Sequence, residues 1–214
     1  MPTVIACAGM IRSGSTWQYN AVRLLLKAAG RSAKGFWIED YDPEDGAEVH
    51  IVKMHSAIDA EAIRPDTVLS TVRDPRAVLA SLARMGWTSL EEDRLRTQAR
   101  DYADLANHWQ SIADVTTRYA DIIERPVEAM TSLNGALDLG LPQSTLAAIA
   151  DQLDAIRAPE DADSTSRGYH AESLLHPGHI GDRTDAAAVA LLPPGIAEAI
   201  ADEIRPWMKE HGFE

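Results

Sequence analysis

A short apolar run, Thr3-Val4-Ile5-Ala6-Cys7-Ala8, stops at Gly9 and is followed, after a glycine- and serine-containing stretch, by the pattern Trp17, Ala21, Val22, Leu24, Leu25 and Leu26. Short, apolar and closed by glycine reads as a buried strand, and the recurrence every three to four residues reads as a helix. The residues between them, Gly9-Met10-Ile11-Arg12-Ser13-Gly14-Ser15-Thr16, have the glycine spacing of a phosphate-binding loop in the setting that such a loop requires. Its physics is anion capture. Glycines let the backbone approach, N–H groups at the helix start point at the anion's oxygens, and Ser and Thr hydroxyls add donors.

The rest of the chain repeats the alternation of strand and helix. Gly35 to Ile38, Val49 to Met54, Thr67 to Val72 and Val115 to Tyr119 are strand candidates, with a short helix between the second and third. The acidic turn from Glu39 to Gly46 reads as a solvated loop. Asp74-Pro75 opens a helix carrying Ala77, Val78, Ala80 and Leu82, and Ser89 to Asp114 is charged, periodic and free of proline, a long surface helix. From Val127 the chain turns helical, with apolar faces on Leu133, Leu137 and Leu141, then on Leu146, Ile149 and Leu153, broken at Gly140-Leu141-Pro142. Ala158 to Asp182 lacks periodicity and reads as a long functional loop, and a final helix is expected from Pro194 to Lys209. The predicted fold is α/β: three layers, α/β/α, around a mostly parallel central sheet of the P-loop NTPase type, with a largely helical C-terminal half and ligands beyond the carboxyl ends of the strands.

Length and charge narrow the function classes. A chain of 214 residues, 45% hydrophobic and 25% charged, has the make-up of an ordinary globular protein with one sizeable core, so residues 1–214 are read as a single domain. A net charge of −13 disfavours non-specific binding to nucleic acid or to an anionic membrane, so an anionic ligand must find a local basic pocket. The single cysteine, Cys7, precludes an internal disulfide framework and reads as a small buried hydrophobe. With no basic leader and no long apolar run, the expected compartment is the cytoplasm. The sequence leaves the oligomeric state open, a homodimer included.

The loop departs from that of a nucleoside triphosphatase at one telling position: Ser15 follows Gly14 where such an enzyme carries its phosphate-gripping lysine, and Arg12 supplies a cation instead. Arg12-Ser13-Gly14-Ser15-Thr16-Trp17 resembles the 5′-phosphosulfate loop of the sulfotransferase family. Three further segments, in the family's order, agree with it. Arg73-Asp74-Pro75-Arg76-Ala77-Val78-Leu79-Ala80-Ser81 resembles the family's 3′-phosphate segment, Lys53-Met54-His55 its Lys-x-His element, and Tyr119-Ala120-Asp121 its Tyr-Glu-Asp segment. The resemblance spans about Thr3 to Asp182. It weakens at His176-Pro177-Gly178-His179-Ile180-Gly181-Asp182-Arg183, where the family often has Arg-Lys-Gly and then Gly-Asp-Trp. There Gly178 and His179 are assigned to the second grip on the 3′-phosphate, with Arg167 as the alternative.

The resemblance implies transfer of a sulfuryl group from 3′-phosphoadenosine-5′-phosphosulfate (PAPS) to a hydroxyl or amine of a small-molecule acceptor, leaving adenosine 3′,5′-bisphosphate (PAP). His55 is the implied general base, since its ordinary pKa near ~6.5 allows a neutral imidazole at cellular pH. Lys53 contacts the transferred group, and Arg12 stabilises the leaving phosphate where the family usually has lysine. The donor would be held by Arg12, Ser13, Gly14, Ser15, Thr16, Trp17, Arg73, Ser81, Tyr119, Gly178 and His179. No metal is required in this reading, although His170, His176, His179 and Asp182 invite a zinc site whose spacing matches no familiar pattern. Trp37, Tyr41, Met85, Trp87, Trp109 and Tyr169 are candidates for an apolar acceptor wall, and the acidic turn from Glu39 to Asp45, if not merely solvated, would favour a cationic acceptor. Two alternatives stand beside this one: a small-molecule or nucleotide kinase with an atypical P-loop, and a non-catalytic nucleotide-binding module.

Overall fold

A computed structural model describes residues 2–157, 168–176 and 184–213. Five strands, β1 (Thr3–Cys7), β2 (Ala33–Trp37), β3 (Val49–Lys53), β4 (Thr67–Val72) and β5 (Val115–Arg118), form one sheet in the order β2-β3-β1-β4-β5. Every pairing is parallel. In β1, Val4 and Ala6 enter one core while Ile5 and Cys7 enter the other, the period-two alternation of a strand covered on both faces.

Helices α1 (Ser15–Ala28), α6 (Pro126–Ala136) and α7 (Gln143–Ala155) pack on the face of Ile5 and Cys7. On the face of Val4 and Ala6 lie α2 (Ala57–Ile63), α3 (Pro75–Arg84), α4 (Glu92–Ile112), α8 (Asp185–Val189), α9 (Ile196–Glu203) and α10 (Arg205–Glu210). A short α5 (Tyr119–Glu124) follows β5 directly. The three-layer α/β/α architecture with a parallel sheet is therefore as the sequence predicts. No helix among the described residues is long and apolar enough to cross a membrane.

Two boundaries differ from expectation. The final helix is not continuous, because Pro206 has no N–H to give to the preceding turn and Ile204 leaves helical geometry, at φ −126° and ψ 26°. Tyr119, expected to end a strand, starts α5 instead. Cys7 is fully buried, and burial pushes its thiol well above the ordinary range. The acidic turn after β2 is exposed at Asp42, Pro43 and Glu44, as expected of a solvated loop, but Asp45 pairs with Lys34 at 2.5 Å and its carbonyl lies 3.2 Å from His50 Nε2.

β1 lies at the centre of the order, with β3 on one side and β4 on the other. Connections leave this point in opposite directions, which opens a crevice above the carboxyl ends of these three strands. The candidate site occupies it.

Candidate functional site

The loop between β1 and α1 is braced from within. Gly9 has φ +117°, and a Cβ there would lie 2.7 Å from the amide nitrogen of Thr71 and 2.8 Å from its carbonyl oxygen, so only glycine fits against β4. Ser13 turns inward: its hydroxyl donates to the Met10 carbonyl at 2.5 Å and lies 2.6 Å from Thr71 Oγ1, while its N–H returns to the same carbonyl at 3.2 Å. Among the loop residues assigned to the donor, Ser13 therefore shapes the loop, and Arg12, Gly14, Ser15, Thr16 and Trp17 line the cavity. Gly14 caps α1 at φ +102°, and the first turn of α1 holds no acidic residue, which leaves the helix start attractive to an anion.

The cavity has a volume of about 680 Å³ and gathers the remaining predicted residues that the structure describes: Lys53, His55, Arg73, Ser81 and Tyr119 all line it. β3 ends at Lys53, so His55 lies just beyond the strand; even so, Lys53 Nζ stands 3.4 Å from His55 Nε2. His55 Nδ1 lies 2.7 Å from the Gly9 carbonyl, which can only accept, so Nδ1 carries the proton and Nε2 presents a lone pair. Burial, reinforced by Lys53, pushes the imidazole down to about 3. Burial likewise lowers Lys53 to about 7, with repulsion from Arg12 in the same direction. Trp37, the register partner of Lys53 on β2, places its ring 4.7 Å from Nζ and 5.4 Å from the His55 ring.

Arg12 and Ser81 meet directly, Nε donating to Oγ at 2.9 Å. Burial, together with Arg84 and Arg73, lowers the Arg12 guanidinium to about 10. Ser81, assigned from sequence to the donor, is thus tied to the phosphate loop through Arg12. Arg73 makes different contacts: Nε donates to Asp185 at 2.6 Å, Nη1 donates to the Arg12 carbonyl at 3.1 Å, and the guanidinium lies 3.8 Å from the centre of the Tyr119 ring.

The residues 168–176 close one side of the cavity. Asn20 on α1 donates to the Ser173 carbonyl at 2.8 Å, Tyr19 donates to that of Glu172 at 3.3 Å, and Arg23 pairs with the Glu172 carboxylate. Tyr169 donates to Asp40 at 2.7 Å, and the His176 ring bridges Tyr169 and Trp87 edge-on, at 5.6 and 5.8 Å. Of the apolar-wall candidates proposed from sequence, Trp37, Trp87 and Tyr169 line the cavity; Tyr41, Met85 and Trp109 do not, and Trp109 is buried in the core with α4. Gly178, His179, Arg167 and Asp182 fall outside the described residues.

Sequence reasoning missed Arg84, Asn20 and Asp185. Arg84 was recoverable, since it follows Ser81 by three residues and shares its helix face. Asn20 carried a weaker signal, one turn after Thr16 on α1. Asp185 carried none, because its contact with Arg73 spans 112 residues.

No family model and no curated protein matches the chain. Solved structures do. Mouse sulfotransferase SULT7A1 complexed with PAP superposes with a TM-score of 0.74 at 12% identity, over 99% of this chain and 85% of that one. Retinol dehydratase with androsterone and inactive cofactor PAP gives 0.64 at 13% identity, covering 97% and 81% of the two chains. Retinol dehydratase with retinol and PAP gives 0.61 at 14%, covering 98% and 82%. The parallel sheet, its strand order and this chain-wide superposition together establish that the chain has the sulfotransferase fold.

Proposed function

We propose that this chain is a sulfotransferase that takes a sulfuryl group from PAPS and delivers it to a hydroxyl or amine on a small, largely apolar acceptor. One observation carries the reading: in a chain of net charge −13, Arg12, Lys53, Arg73 and Arg84 converge on one cavity at the start of α1, beside an imidazole with its lone pair presented. The chemistry of that set fits a polyanionic nucleotide: cations and a helix start for its phosphates, and Trp17 and Tyr119 for its base. The similar structures were solved with PAP, which supports the same donor.

Bound there, the donor supplies a sulfuryl group activated on its 5′-phosphate. The Gly9 carbonyl fixes the His55 ring, so Nε2 receives the proton that leaves the acceptor hydroxyl. Lys53, within reach of the same Nε2, provides positive charge beside the transferred group. Arg12 holds a fixed cation at the loop for the charge that grows on the departing phosphate. A polyanion held there would favour the charged form of Lys53 and raise the basicity of His55, opposing the burial that depresses both.

The acceptor reading rests on the walls. Trp37 stands against His55, while Trp87, Ile11 and Leu191 line the cavity and remain 44%, 42% and 54% exposed, an apolar rim for an acceptor larger than its reacting group. Neighbours crystallised with androsterone and retinol agree with that character.

The test is transfer of labelled sulfuryl from PAPS to a panel of apolar alcohols, phenols and amines, with magnesium-ATP phosphoryl transfer run in parallel. His55→Ala is expected to lower the rate by roughly 10²-fold or more while leaving PAP affinity within a factor of about 2. A His55→Ala enzyme of undiminished rate removes the base assignment, and phosphoryl transfer alone moves the chain to the kinases.

A further inference from the structure

We propose that Asp185 is a positioning residue for the donor site: it holds Arg73 from behind so that the guanidinium's remaining donors face the cavity. The proposal rests on the donor reading above.

Arg73 is 4% exposed and its main chain is fixed on both sides by one side chain, Tyr102 of α4, whose oxygen accepts from the Arg73 N–H at 2.9 Å and donates to the Arg73 carbonyl at 2.7 Å. The side chain still has several freely rotating bonds, and what stops them is specific. Asp185 takes Nε at 2.6 Å, the Arg12 carbonyl takes Nη1 at 3.1 Å, and Tyr119 covers one face. A guanidinium carries five N–H groups, and no described contact uses those of Nη2. Arg73 lines the cavity and Asp185 does not, although Ala188 and Leu191 just after it do. The carboxylate therefore approaches from the side away from the ligand.

The other nearby carboxylate is not available for this role. Asp74 receives Nε and Nη2 of Arg76, at 3.1 and 2.7 Å, as well as the Arg76 N–H at 2.8 Å. Asp185, in turn, is set by its own helix start, where Thr184 accepts from the Ala187 N–H at 3.2 Å, and by α8 packing on α3. A planar, forked cation held at Nε by a carboxylate presents its far edge in one orientation, which suits a phosphate better than a mobile arginine does.

The experiment is calorimetric titration of wild type, Asp185→Ala and Asp185→Asn with PAP and with adenosine 5′-monophosphate. Wild type is expected to prefer PAP. Asp185→Ala is expected to lose roughly 10-fold of PAP affinity with monophosphate affinity unchanged, which also shows the variant to be folded. Asp185→Asn keeps an oxygen acceptor for Nε and is expected to restore affinity to within about 3-fold of wild type. If wild type prefers PAP and Asp185→Ala keeps that preference, or binds PAP more tightly, the positioning role is wrong while the donor reading survives. An equal loss for both nucleotides, unrelieved in Asp185→Asn, also overturns it by showing a general structural role. A wild type indifferent to the 3′-phosphate removes the donor reading and this proposal together.

Discussion

Lys53 and His55 show what the fold does to individual groups. Both are pressed toward neutrality by burial at the sheet's carboxyl edge. The unfolded chain binds a proton at Lys53 up to about pH 10.5, and the folded chain only to about 7, so between these values the unfolded state holds more protons and stability rises with pH. His55 contributes the same sign between about pH 3 and 6.5. Cys7 acts oppositely, but only above its ordinary value of 9.0. Between pH 7 and 9 the Lys53 contribution is therefore isolated, and Lys53→Met is expected to flatten a wild-type slope on the order of 1 kcal/mol per pH unit in urea unfolding. Parallel slopes in the two proteins would show that the folded state does not depress Lys53. That Arg12, Lys53, His55, Arg73 and Tyr119 would line one cavity was legible because each sits at a strand end or loop, where local pattern marks the edge of the sheet. Their partners were not. The Ser81 contact to Arg12 spans 69 residues, and no local pattern marks it.

Among the elements, the β1–loop–α1 unit carries the most information and has the least tolerance. Gly9 lies against the Thr71 backbone and Gly14 against Ile122, whose Cδ1 would stand 2.6 Å from an added Cβ. Gly9→Ala is expected to cost on the order of 3 kcal/mol, because neither the positive φ nor the backbone of β4 can yield. Gly46→Ala, with nothing within 4 Å of its added Cβ, is expected to stay within about 0.5 kcal/mol of wild type. Equal thermal stability of the two variants would contradict the close approach. The strands were legible to within a residue or two because all but β2, which carries Lys34 and Gly35, are short β-branched or apolar runs closed by a polar or glycine break. The split of the last helix was legible in principle: Pro206 stands in the sequence, and the apolar periodicity around it masked its effect on the preceding turn.

For the whole molecule, two cores meet across one sheet, and the cavity lies at the edge of both. Trp17, Tyr169 and Leu174 belong with the core of α1 and α7, while Ala188 belongs with that of α3 and α4, and all of them line the cavity. The α/β/α architecture could be read from alternating strands and helices, since burial on both faces leaves a strong signature in sequence. The closure of the cavity could not. It depends on bonds such as Asn20 to Ser173 and Tyr19 to Glu172, each spanning 153 residues through a segment with no periodicity. The cluster of Arg12, Lys53, Arg73 and Arg84 in this cavity, whose lining also carries Glu39, Asp151 and Asp154, is suited to an adenosine nucleotide bearing a 3′-phosphate. Calorimetric titration of the full chain with PAP, adenosine 5′-monophosphate and magnesium-ATP tests it directly. Micromolar binding of PAP that requires the 3′-phosphate and is lost in Arg73→Ala is the predicted result; equal binding of PAP and the monophosphate, or a preference for magnesium-ATP, would contradict it.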